Sequence, residues 1–219
     1  MTHSIYETRE LISSAGLVFW DFDGVIKDSV DVKTAAFERL FEPYGTEVAR
    51  RVRGHHEAHG GVSRFDKIPL YLTWAGEPAN PAQVEAFCER LSQAVLQAVI
   101  DAPWVPGVCE YLIERCAEQY FVLVTATPQK EIEHILATLE LAHCFREVHG
   151  ASTKKASAVG AVLARIKFTP EQALMIGDSE TDWQAAQANA VPFLLRRTSL
   201  NLSIQASYGG PMFDDLNDE

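Results

Sequence analysis

The chain has 219 residues; 19 Lys and Arg against 30 Asp and Glu leave a formal charge of −11, and 47% of the residues are hydrophobic. That apolar content excludes a disordered polymer and supplies a core for one sizeable domain, or for a domain carrying an insertion. The net acid argues against a nucleic-acid partner or an anionic membrane surface, and no stretch approaches the roughly 20 apolar residues that span a bilayer.

Met1-Thr2-His3-Ser4 lacks the basic start and apolar stretch of a secretory signal, which predicts a cytoplasmic protein. Leu17-Val18-Phe19-Trp20 is a short continuous apolar run, the mark of a strand buried on both faces of a parallel sheet. From Val32 to Ala102 no such run occurs. Helical patterns near Val32–Phe41, Ser63–Trp74 and Pro81–Ile100 alternate with turn signals at Pro43-Tyr44-Gly45, His59-Gly60-Gly61 and Gly76 through Pro81. A helical segment this long between two strands is too large for a loop, so residues 32–102 are expected to form a second, smaller domain.

Pro103 and Pro106-Gly107 mark the return to the sheet. Buried-strand runs recur at Phe121–Val124, Ala173–Ile176 and Val191–Leu195. Between them, Val108, Tyr111, Leu112 and Cys116 keep helical spacing, as do Ile132, Ile135, Leu136 and Leu139, and again Val159, Val162, Leu163 and Ile166. Strand alternating with helix predicts an α/β fold: a doubly wound, Rossmann-like parallel sheet built from residues 1–31 and 103–219. The four cysteines, Cys88, Cys109, Cys116 and Cys144, form no CxxC and are expected to be buried reduced thiols rather than a disulfide framework or zinc knuckle. The acidic tail, Phe213 to Glu219, is expected to fray.

Two strands end in acid. Asp21 and Asp23 follow the first run in Asp21-Phe22-Asp23-Gly24-Val25, and residues two apart on extended chain point the same way. The run at 173–176 leads into Gly177-Asp178-Ser179-Glu180-Thr181-Asp182, where a helix starting near Ser179 would bring Asp178 and Asp182 together. Open parallel sheets bind ligands outside the carboxyl ends of their strands, where all these acids fall. Crowded carboxylates repel by about 4 kcal/mol per pair at 4 Å and an effective dielectric near 20, a penalty that a hard divalent cation removes. Mg2+ suits a site that also holds phosphate. The strand at 121–124 ends in Thr125-Ala126-Thr127-Pro128, whose Thr125 hydroxyl could donate to a phosphoryl oxygen, and Lys154-Lys155 precedes the next helix.

In order and spacing, DFDGV at 21–25, Thr125, Lys154-Lys155 and GDSETD at 177–182 resemble the haloacid dehalogenase superfamily, in its phosphatase and β-phosphoglucomutase-like branch. The resemblance covers nearly the whole chain and implies that residues 32–102 are a helical cap. It further implies that Asp21 is the nucleophile that becomes an aspartyl-phosphate, and that Asp23 protonates the leaving oxygen and then activates water. Thr125 and a lysine, Lys155 or alternatively Lys154, would hold the phosphoryl oxygens. Asp21, the backbone carbonyl of Asp23, and Asp178 would bind Mg2+, with Asp182 supporting the metal. Dehalogenases of the superfamily lack an acid at the second position, so Asp23 argues for phosphate chemistry.

Gly61-Val62-Ser63-Arg64 is similar to the Gly-x-Ser-Arg segment of the β-phosphoglucomutase-like branch, where the arginine holds the far end of the substrate. Arg64 is therefore expected to bind substrate, with Gly61, Ser63, His56 and Thr127 beside it. His55, His56 and His59 lack an acid or cysteine at a familiar metal spacing. The segment from Asp28 through Phe37 is loosely similar to phosphatases of sugar-nucleotide pathways. These features imply a monomer or homodimer that hydrolyses a small phosphorylated metabolite, leaning toward a sugar phosphate. A sugar phosphomutase and a non-catalytic module on the same fold are the alternatives.

Overall fold

A computed structural model describes residues 5–151 and 153–217. The N-terminal residues considered above as a signal, Met1 to Ser4, and the last two acids of the tail, Asp218 and Glu219, lie outside them. After helix α1 (Ile5–Ser14), strand β1 (Leu17–Trp20) forms the centre of a parallel six-stranded sheet ordered β3-β2-β1-β4-β5-β6. Its other strands are β2 (Tyr120–Val124), β3 (Glu147–His149), β4 (Ala173–Gly177), β5 (Phe193–Arg196) and β6 (Met212–Phe213). The continuous apolar runs conceal a period of two. Val18 and Trp20 pack on one face with Phe121, Leu123, Leu174 and Ile176, whereas Leu17 and Phe19 pack on the other with Val122, Val124, Ala173 and Met175.

Helices α2 (Val30–Phe41), α3 (Thr46–Ala58), α4 (Arg64–Trp74) and α5 (Pro81–Asp101) fill the space in sequence between β1 and the next core helix, α6 (Val108–Arg115). Helix α3 lies where the sequence shows only flanking turns. Asn80 caps α5 by accepting from Gln83 N at 3.0 Å, with Pro81 in the first turn, where a missing N–H costs nothing. The two chain crossings into this insertion are bonded to each other: Asp28 N donates to Pro103 O at 2.8 Å and Val105 N to Ile26 O at 3.0 Å. Lys27 adds to the crossing, donating to Ile100 O at 2.9 Å with its ammonium 4.1 Å from the Trp104 ring centroid. The apolar face of the insertion, including Phe37, Phe41, Tyr71 and Phe87, is continuous with one face of the sheet.

On the remaining connections lie α7 (Gln129–Thr138), α8 (Lys155–Leu163), α9 (Glu180–Ala188) and α10 (Leu202–Ser207). The described part of the tail, Phe213 to Asn217, does not fray as expected. Phe213 pairs in β6, and the buried Leu216 donates its N–H to Pro106 O at 2.9 Å. No described helix is long and apolar enough to cross a membrane.

Candidate active site

The register Trp20↔Ile176 and Trp20↔Leu123 sets the ends of β2, β1 and β4 side by side, so Thr125, Asp21 and Asp178 leave the sheet at one rim. Asp21 N donates to Ile176 O at 3.0 Å, and Thr125 N to His149 O at 2.9 Å, which fixes both residues just beyond their strands. Gly24 turns the chain beside Asp21 with a φ of +77°. A Cβ there would lie 2.1 Å from Asp178 Oδ2, so both the turn and the approach of the two loops require glycine.

Asp21, Asp178 and Asp182 each place a carboxylate oxygen within 4.8 Å of the other two. Lys155, the first residue of α8, reaches back to Asp21 Oδ2 at 2.8 Å and Asp182 Oδ1 at 2.6 Å. Lys155 is thus the lysine among the acids, whereas Lys154 is exposed. Asp182 spends its other oxygen on the Ser179 hydroxyl and N–H at the start of α9, so it positions Lys155 and the 178–179 loop. Asp21 Oδ1 is the one described buried carboxylate oxygen without a hydrogen-bond partner.

One ammonium serves three buried acids. Burial, followed by the charge of Asp182, pushes Asp21 up to about 7 against the pull of Lys155. Burial and the charges of Asp21 and Asp182 push Asp178 well above the carboxylate range. An excess of hard oxygen donors around an unpartnered carboxylate oxygen fits Mg2+. Asn201, which no motif in the sequence marks, holds this loop by donating to Asp178 O at 2.7 Å and Arg196 O at 2.8 Å.

Asp23 sits in a separate network. Its oxygens accept from Ser29 Oγ at 2.6 Å, from Thr127 Oγ1 at 3.1 Å and from the Lys33 ammonium. Burial opposes ionisation here, but the charge and hydrogen bond of Lys33, with Ser29 and Thr127, hold Asp23 below its ordinary value. Thr127, expected to bind substrate, thus orients Asp23, and Lys33 also donates to it at 2.7 Å. The Thr125 hydroxyl accepts from Thr127 N at 3.2 Å.

Between cap and sheet, a cavity of about 70 Å3 is lined by Asp21, Asp23, Lys33, His56, Lys67 and Asp178, among others. It adjoins a larger cavity of about 360 Å3 that includes Thr125, Lys155 and Ser63, the two sharing Gly61, Val62 and Ala126. Gly61, at φ +75°, brings its loop so close to Ser179 and Thr181 that a Cβ would not fit, and it lines both cavities. Ser63 caps α4 by accepting from Phe65 N at 3.2 Å. His56 packs at a tilt against Phe37, with ring centroids 4.5 Å apart.

The sequence leads one to expect Arg64 at the substrate. Although its residue borders the smaller cavity, its guanidinium forms a buried two-pronged pair with Glu131 of α7, at 2.8 and 2.9 Å, and donates to Ser92 at 2.7 Å. Lys67, one helical turn on, lines the smaller cavity together with Asp21, Asp23 and Asp178, its ammonium 3.1 Å from His56 Nδ1. The signal was present: Arg64, Lys67, Ile68 and Tyr71 keep the spacing of one helix face, and that face is buried.

Residues 18–195 match the family model described as haloacid dehalogenase-like hydrolase. A phosphoglycolate phosphatase of Aliivibrio fischeri is 34% identical over 210 residues, covering 92% of this chain and 90% of its own. One from Pseudomonas putida is 28% identical over 192 residues, 80% of this chain, and this chain spans only 66% of that relative's length. A solved structure from Haemophilus somnus, described as a predicted phosphoglycolate phosphatase, superposes with a TM-score of 0.72 at 18% identity, covering 93% of this chain and 95% of that one.

Proposed function

The chain belongs to the haloacid dehalogenase-like hydrolases, and from that premise we propose that it is a Mg2+-dependent phosphatase of a small phosphorylated metabolite, with residues 32–102 as its cap. The observation that carries the reading is the state of Asp21. One oxygen is fixed by Lys155, the other, Oδ1, is buried and unpartnered, and the residue lines the cavity. Asp21, Asp178 and the Asp23 backbone carbonyl would hold Mg2+, which supplies positive charge against the acids and the incoming phosphate.

An Asp21 carboxylate oxygen attacks phosphorus, the ester P–O bond breaks, and the leaving oxygen takes a proton from Asp23. Lys33 keeps Asp23 anionic at rest. A phosphate dianion arriving beside it raises its pKa, which favours the protonated acid before transfer. Once the alcohol has left, ionised Asp23 takes a proton from water, whose oxygen attacks phosphorus and releases phosphate from Asp21. Thr125 and Lys155 bind the phosphoryl oxygens throughout.

The substrate class shifts from the sugar phosphate that the sequence favoured. A cavity of about 70 Å3 with Lys67 and Lys33 on its walls favours a compact phosphorylated carboxylate, with the second anion at Lys67, in keeping with the relatives' names. The adjoining cavity of about 360 Å3 is what favours a sugar phosphate, as the second reading.

Phosphate release from 2-phosphoglycolate and from hexose phosphates, with Mg2+ and with chelator, tests both. Asp21→Asn is expected to stay folded and lose turnover. Phosphate release by that variant at the wild-type rate overturns the mechanism, and sugar-phosphate isomerisation without net phosphate release overturns the hydrolase in favour of a mutase.

A further inference from the structure

At the opposite rim of the sheet three soft ligand groups converge from two distant segments. Cys116 caps the end of α6, just before β2, while His143 and Cys144 lie in the 3-10 turn Ala142–Cys144, just before β3. Both segments precede their strands, so the cluster lies at the amino ends of the sheet, away from the carboxyl ends where Asp21 and Asp178 emerge. One ligand atom from each of the three residues lies within 4.8 Å of the other two. His143 Nε2 is 3.6 Å from Cys144 Sγ.

That spacing matches a metal polyhedron. With Zn–S near 2.3 Å and Zn–N near 2.0–2.1 Å, a tetrahedral site has an S–N edge of about 3.6 Å and an S–S edge of about 3.8 Å. The His143–Cys144 separation therefore equals a tetrahedral edge, and Cys116, whose Sγ donates to Ile113 O at 3.5 Å, lies within 4.8 Å of both and needs only a small shift to join them. Cys144 is buried, Cys116 half-buried and His143 exposed, which gives the set an open side for ion entry and for water as a fourth ligand. All four cysteines are free thiols; burial, then Cys116, pushes the Cys144 thiol up to about 12, so the cation itself must favour its thiolate.

We propose that Cys116, His143 and Cys144 form a second metal site, for a thiophilic d10 cation of the Zn2+ class, distinct from the carboxylate site. On binding, each thiol loses its proton to solvent and each sulfur donates a lone pair, with no change of oxidation state. The site joins the end of α6 to the turn that feeds β3. Strand β3 has only three residues and a single neighbour in the sheet, so a clasp at its entry adds the anchoring that its own ladder lacks.

The test uses the full chain, reduced and stripped with chelator, and titrated with Co2+ as a spectroscopic probe and with Zn2+ for displacement. Thiolate ligands give sulfur-to-cobalt charge-transfer absorption, which the oxygen ligands of the Asp21 site cannot. One equivalent of that absorption is expected, abolished by Zn2+, unchanged in Cys88→Ser and lost in Cys116→Ser and Cys144→Ser. Zn2+ is expected to raise the melting temperature of the wild type but not of those last two variants. If Cys144→Ser fails to fold, His143→Ala at the exposed ligand decides, with roughly tenfold or greater weakening of Co2+ binding expected. Absence of the absorption in the wild type, its retention in Cys116→Ser, its loss in Cys88→Ser, or unweakened binding in His143→Ala overturns the proposal.

Discussion

Lys67 Nζ lies 3.1 Å from His56 Nδ1, two basic groups buried together in the cap, and no carboxylate among the described residues pairs with Lys67. Burial, then the charge of Lys33, lowers Lys67 from 10.5 to about 7, and burial with the Lys67 charge lowers His56 well below its ordinary value. Because the folded pKa of Lys67 is the lower one, the unfolded chain binds more protons between about 7 and 10.5. Its contribution to stability therefore falls as pH drops through that window and stays low beneath it. At about 1.4 kcal/mol for each pH unit the window spans, the cost at pH 7 is on the order of a few kcal/mol.

A residue that weakens the fold while facing the acids has the profile of a binding group. Lys67→Met is expected to raise the melting temperature at pH 7 and to raise KM for 2-phosphoglycolate at least tenfold. In the wild type, KM for that substrate is expected to climb as pH rises through about 7, where the ammonium discharges. An aryl phosphate without a second anion lacks this limb. Steady-state kinetics on both substrates across pH 6 to 9 checks it, and an identical pH profile for the two removes Lys67 from recognition.

Asp21 makes metal dependence and pH dependence one question. Its pKa is raised from 3.8 to about 7, so the metal-free folded chain binds more protons than the unfolded chain between those values. Metal-free stability from this group is thus present at low pH and is lost as pH rises toward 7. A bound cation reverses the preference, since it requires the ionised carboxylate. The gap in melting temperature between protein in excess Mg2+ and in chelator is expected to be small near pH 5 and to widen up to about pH 7. Differential scanning fluorimetry across that range is the measurement, and a gap that narrows with rising pH contradicts the assignment of Asp21 to the metal.

Gly61 couples the cap loop to the second acidic loop. A Cβ on it would stand 2.0 Å from Thr181 Oγ1 and 2.4 Å from Ser179 Oγ, on a backbone already at φ +75°. Gly61→Ala is expected to hold the cap away from the site at a cost of about 1–3 kcal/mol, or roughly tenfold to a hundredfold in kcat/KM. Thr181→Ala in the same chain should recover part of the loss, because the closest clash goes with the hydroxyl. Kinetics of the two single variants and the double variant resolve the coupling.

The parts of this protein that were legible in sequence are those fixed by one strand or one turn. The strands at 17–20, 120–124 and 173–177 are buried on both faces and announce themselves as apolar runs, and the acids that follow them inherit their direction from the strand. Strand β3, Glu147-Val148-His149, is polar, three residues long and at the edge, so no periodicity marks it, and the two residues of β6 carry less signal still. Side-chain partners across the cap–core gap were not legible for a different reason. Arg64 and Glu131 are 67 residues apart, and only the packing of the folded chain brings the guanidinium to that acid. Lys33 lies ten residues from Asp23, too far along the chain for local spacing to reveal that their side chains meet.

The Arg64–Glu131 pair yields the sharpest separation of a structural role from a binding one. The two side chains are 5% and 6% exposed, and the pair joins a cap helix to a core helix with Ser92 Oγ donating to the same carboxylate at 2.6 Å. Removing one partner of such a pair leaves a buried charge uncompensated, which typically costs about 3–5 kcal/mol, whereas replacing both with apolar groups of similar size is often neutral. Glu131→Leu alone is therefore expected to lose several kcal/mol in urea unfolding, and Arg64→Met with Glu131→Leu to recover most of it. If Arg64 instead held the far end of the substrate, as its Gly-x-Ser-Arg context suggested, Arg64→Met would raise KM by the same factor whether or not Glu131 were present. The structure predicts a non-additive cycle in stability and, in the double variant, a KM within about threefold of the wild type, since Lys67 still faces the cavity. Urea denaturation and steady-state kinetics on the four proteins of the cycle measure both quantities, and additive stabilities with a large KM increase in the double variant return Arg64 to the substrate.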